Sequence, residues 1–154
     1  MNGTPRLATV APDLVEELEG RSAAQLMAVS LAVVEWIERD DIVAEEIIAV
    51  AVDALRRGAV GDAESRSRIL DVVEELDERA WSIQESMTES SSDGPYVIVF
   101  NQARAANAVW SALDPDPATA AMDAAYEAQA ANGDLDGLRR VVLEALERSA
   151  QPNE

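Results

Sequence analysis

Between residues 62 and 88 the apolar side chains Ile69, Val72, Val73, Leu76, Ala80, Ile83 and Met87 recur at the spacing of one helical face, and the opposite side is heavily acidic. This is an amphipathic helix whose narrow stripe needs other elements to cover it. The rest of the chain supplies them. Pro12 sits where a first helical residue belongs, and Leu14, Val15 and Leu18 mark one side of a short helix ending near Gly20. Ser22 can cap a longer helix to about Arg39, with Leu26, Val29, Val33 and Ile37 on one face and Trp36 beside it. After Asp40 and Asp41 a third helix runs from about 42 to 57 and closes on two arginines and Gly58.

Residues 90–95, Ser-Ser-Ser-Asp-Gly-Pro, form the strongest loop signal. Tyr96 to Phe100 has strand composition, but Asp93 and Pro95 as a start and an alanine-rich continuation to Leu113 predict a helix. Asp114-Pro115-Asp116-Pro117 ends it and opens another, 118–132, which stops at Gly133. Asp134 then caps a last helix to about Ala150, with Leu135, Leu138, Val142 and Leu146 inward.

Hydrophobic residues make up 48% of the 154, yet aromatics only 4%, so the core has to be built from Ala, Val, Leu and Ile, which suits closely packed helices. A domain of this length buries about 70% of the surface its unfolded chain exposes. The expected fold is all-α: one domain over 11–150, a compact bundle or αα-hairpin stack of about seven helices, with disordered ends at 1–10 and 151–154. Short connections predict that sequential helices lie antiparallel side by side. Residues 114–146 look like a tetratricopeptide-style hairpin in length and in the glycine between the helices, without that repeat's aromatic signature.

The chemistry available is narrow. All 12 cations are arginine, and lysine, histidine and cysteine are absent. There is no imidazole base, thiolate or ε-amine, and no imidazole or thiolate ligand for zinc. No disulfide framework exists, which suits a cytoplasmic protein. The missing lysine, beside abundant Ala, Val, Arg, Asp and Glu, fits a GC-rich bacterial genome. The first residues lack a basic region followed by an apolar run, so no signal peptide is expected. The longest apolar segment, 26–37, contains Ser30 and Glu35 and is too short to span a bilayer.

Thirty carboxylates give a formal charge of −18, beyond the roughly 2 to 8 usual for a small domain. Such a field repels nucleic acid, anionic membranes and copies of the chain itself, and attracts a basic protein. A monomer that binds a basic partner, with no cofactor, is the expectation.

Paired carboxylates are the remaining catalytic equipment. Glu35 and Glu38, with Glu74 and Asp77, form two pairs each on one helical face, and two such pairs facing each other can hold magnesium. This arrangement resembles all-α nucleotide pyrophosphatases, which implies a divalent-metal-dependent phosphohydrolase as an alternative function. Asn132-Gly133-Asp134-Leu135-Asp136-Gly137 imitates the start of a calcium loop, but its twelfth position is Leu143. Helix termination at Gly133 and capping at Asp134 account for the same residues.

At 100° per residue Trp81 lies about 120° from the centre of its helix's apolar stripe, among acids. Asp71, Glu74, Glu75, Asp77, Glu78 and Glu85 surround it in sequence. Either this indole anchors a basic partner or it touches a neighbouring helix through a second face. On the following helix Asn101, Arg104, Asn107 and Ser111 form a polar ridge with Phe100 alongside. Arg104 either pairs with a carboxylate on an adjacent helix or serves a partner. In size, helicity and charge the chain resembles small acidic immunity proteins and antitoxins, which implies a non-catalytic inhibitor that occludes a basic partner such as a toxin domain. A helical adaptor of tetratricopeptide-like character is the third reading.

Overall fold

The computed structural model describes residues 6–39, 45–57, 63–86 and 94–150, with side chains at 45, 63, 83–86, 94–100 and 150 outside the description. A 3-10 turn, Arg6–Thr9, leads into seven α-helices: α1 Pro12–Leu18, α2 Ala23–Arg39, α3 Glu45–Arg57, α4 Ala63–Ser86, α5 Gly94–Ser111, α6 Pro117–Asn132 and α7 Leu135–Ala150. The architecture is all-α, and among the described residues there is no strand. No helix is long and apolar enough to cross a membrane among those residues. Residues 96–100 lie within α5, so the alanine-rich continuation prevails over local strand composition.

Helix ends form where local chemistry satisfies the orphan backbone groups. Ser22 Oγ accepts from the Gln25 backbone N–H at 3.1 Å and Gln25 Oε1 accepts from the Ser22 N–H at 3.3 Å, a reciprocal cap on α2. Asp116 Oδ2 takes both the Thr119 N–H at 3.0 Å and the Thr119 hydroxyl at 2.6 Å, which holds its carboxyl below the usual carboxylate range. Gly133, at φ 68°, donates its N–H to the Gln129 carbonyl, and Asp134 Oδ1 accepts from the Gly137 N–H at 2.9 Å. The calcium-loop imitation is thus a helix stop followed by a cap.

Helices α4, α5, α6, α2 and α7 succeed one another as packed neighbours, α3 lies against α2, and α1 with the 3-10 turn covers α6. The α5–α6 pair is alanine against alanine: Ala105, Ala108, Ala112, Ala121, Ala124, Ala125 and Ala128 are fully buried. Larger side chains, Leu7, Leu14, Leu18, Val33, Ile37, Ile48, Ile69, Leu113 and Leu138, fill the remaining interior. Each such aliphatic group contributes roughly 1.5 to 3 kcal/mol of transfer free energy.

Two expectations are corrected. Residues 6–10 are not a disordered lead-in: Leu7 is fully buried, and Arg6 reaches Glu127 on α6. A single apolar residue carries no period, so pattern alone cannot find it. The pairing of sequential helices holds for α2 with α3, α4 with α5 and α5 with α6, but α6 and α7 barely touch. Helix α7 lies on α2 instead, which removes the tetratricopeptide-style hairpin. Residues 1–5, 40–44, 58–62, 87–93 and 151–154, which take in positions 90–93 of the expected loop and the expected disordered tail, lie outside the described residues.

The first turn of α7 sits tightly on α2. A Cβ at the buried Gly137 would fall 2.9 Å from Trp36 Cζ2 and press on the capping Asp134 carboxylate. Alanine is ordinarily better than glycine in a helix by about 1 kcal/mol. Here the sign reverses: Gly137→Ala is expected to lose about 1 to 2 kcal/mol through the cap and the Trp36 contact, read as a lower urea midpoint at unchanged slope.

Candidate functional site

Helix α4 turns its apolar stripe towards α5, burying Ile69, Val73 and Ala80 with Val72 and Leu76 half-buried against the core. Because the stripe is narrow, much of the described remainder of the helix faces outward. Asp71, Glu74, Glu75, Asp77, Glu78, Arg79 and Trp81 are exposed. Trp81 is 62% exposed, so of the two readings of its position the contact with a neighbouring helix is set aside. At helical spacing the indole shares its face with Glu78 and Asp77, three and four residues before it, and with Glu74 one further turn back. Glu85 continues that face by sequence, and its side chain lies outside the described residues.

Several arginines elsewhere are paired with acids. Arg21 pairs with Glu17, Arg56 with Glu35, Arg57 with Asp53, and Arg139 with Asp13. The last bond ties α7 to α1 and holds the Asp13 carboxyl below the usual carboxylate range. On α4 only Glu75 has such a partner, Arg79 at 3.9 Å; among the described residues no arginine pairs with Asp71, Glu74, Asp77 or Glu78. Arg66, one turn from the start of the helix, instead stacks on the Trp110 ring of α5 at 4.5 Å. The side of α4 that carries the exposed indole is therefore acidic, with Glu74, Asp77 and Glu78 on it. Among the described residues, what this face can do chemically is attract a cation and stack on it.

The other predicted residues separate from it. Arg104 does not join this face: its Nη1 donates to Glu127 Oε1 at 3.0 Å, the ion pair to an adjacent helix that one reading of the sequence expected. Ser111, on the same ridge, is buried. Asn101, Arg104 and Asn107 are half-buried, because α5 is packed by both α4 and α6. The Phe100 side chain lies outside the described residues. The four acids of the alternative metal site are not brought together. Glu35 is bound to Arg56 at 3.1 Å, α2 is not a packing neighbour of α4, and among the described residues no cluster of three acids is arranged to hold a metal ion.

Two features escaped the sequence reading. Glu127 is 1% exposed, with Arg6 Nη1 at 2.7 Å and Arg104 Nη1 at 3.0 Å on its two oxygens. A signal existed: Glu127 shares its helical face with the buried Ala120, Ala124 and Ala131. Second, an open groove of about 490 Å³ between α1 and α7 is lined by Glu17, Arg21, Arg140, Leu143, Glu144 and Glu147. Its charges are of both signs, unlike those around Trp81. Compared with known proteins, the chain matches no family model, no curated protein and no solved structure.

Proposed function

We propose that this chain is a non-catalytic, cytoplasmic protein-binding protein of the immunity or antitoxin type, which occludes a basic partner with the outer face of α4. One observation carries the reading: an indole left 62% exposed beside Glu74, Asp77 and Glu78, with none of which an arginine pairs among the described residues. Large exposed aromatics are uncommon without a use, and interface hot spots favour tryptophan. The absence of lysine, histidine and cysteine supports binding over catalysis. Long-range attraction speeds the encounter, and desolvation of Trp81 against the partner slows release.

The test is capture of partner from source cells, followed by direct titration of the captured protein. Wild-type chain is expected to bind a protein with a basic contact face, and affinity is expected to fall steeply with salt. Trp81→Ala is expected to weaken binding about 30-fold or more, the effect of a hot-spot residue. The double reversal Glu74→Arg, Asp77→Arg is expected to abolish it. Reversal of Glu16 on α1 and of Glu19 just after it changes net charge equally and is expected to do far less. Equal losses from the two reversals, or salt-independent binding, would defeat the proposal.

A further inference from the structure

Resting on the reading of α4 as a protein-binding face, we infer that the partner meets it with an arginine, whose guanidinium lies on the Trp81 indole while Glu78 and Asp77 accept its hydrogen bonds. The chain contains its own example of this arrangement. On α6, Asp123 stands three residues before Tyr126, and Arg6 arrives from a separate segment to sit over the Tyr126 ring, 4.7 Å from its centroid. Its Nη2 lies 3.8 Å from Asp123, and its Nη1 bonds Glu127 at 2.7 Å. Aromatic ring, carboxylate one turn before it and guanidinium on the ring form one unit. Arg66 over Trp110 repeats the stacking on a second helix.

Helix α4 presents the same spacing, Glu78 three residues before Trp81, with Asp77 adding a second carboxylate. Among the described residues no arginine of the chain covers this ring. Where α6 has Glu127 directly after the ring α4 has Ser82, so the second carboxylate here is Asp77, four residues before the indole. A guanidinium fits it better than an ammonium does: it is planar, less strongly hydrated, and keeps in-plane donors for the carboxylates while its face lies on the indole. A lysine ammonium has to shed tighter hydration for the same contact.

The experiment compares hexaarginine and hexalysine peptides, equal in charge, titrated calorimetrically into the full chain at low salt. The Trp81 indole N–H resonance serves as the local reporter. Hexaarginine is expected to bind about five-fold more tightly and to shift that resonance. Trp81→Leu, at an exposed site that leaves the fold intact, is expected to bring the ratio close to one while retaining salt-dependent binding of both peptides. Trp81→Phe should keep part of the preference. Equal affinity in the wild type, or a preference that survives Trp81→Leu, overturns the inference and leaves the acidic-face reading standing. Failure of both peptides to bind removes the two together.

Discussion

Arg104→Ala is expected to lower folding stability by about 3 kcal/mol, the larger part of what breaking a buried ion pair costs. The reason is Glu127, a carboxylate at 1% exposure whose two oxygens are held by two arginines. Removing the more buried arginine, Arg104, leaves the charge in a low-dielectric site with one solvent-facing partner. Arg6→Ala is expected to cost roughly 1 to 2 kcal/mol, since that side chain is 49% exposed and water replaces part of its role. Urea unfolding of both variants and of the double variant measures this. A loss below about 1 kcal/mol for Arg104→Ala would show that Glu127 is not held as described. Replacing Arg104 and Glu127 together by leucine should recover much of the loss, because an apolar pair leaves no charge to solvate.

The second large effect is steric. Ala124 is fully buried in the middle of the inward arc of α6, which packs on both α5 and α2. With alanine on both sides of the α5–α6 contact, the backbones themselves set the spacing, and no flexible side chain can move aside. Ala124→Leu is expected to destabilise by about 3 kcal/mol, the upper end for overpacking, and to lower the thermal midpoint by roughly 6 to 12 °C. Calorimetry reads this directly. An unchanged midpoint would mean that the α5–α6 contact is loose enough to accept a branched side chain.

Elements with local grammar were legible in the sequence. Pro12, Ser22, Asp116 and the Gly133-Asp134 step act on backbone groups within four residues, so they mark the same ends in the fold. The α4 stripe was readable because Ile69, Val73 and Ala80 share one face over several turns. Burial of Trp81 was the harder question, since a position off the stripe is either solvent or a second contact. What stayed hidden depends on long-range docking. A short link between α6 and α7 fixes how far apart their ends are, not which helix covers the apolar side of α7. Similarly, Arg6 and Glu127 are separated by 121 positions, and neither sits in a motif.

That separation sets a timetable for synthesis. Arg6 waits for Glu127 across 121 residues, and Asp13 waits for Arg139 across 126. At about 5 to 20 residues per second, Arg6 and Asp13 are made roughly 6 to 25 s before their counterparts. For that interval α1 lacks the α6 surface it packs on in the fold, and its Leu14, Val15 and Leu18, buried in the finished structure, are open to a chaperone.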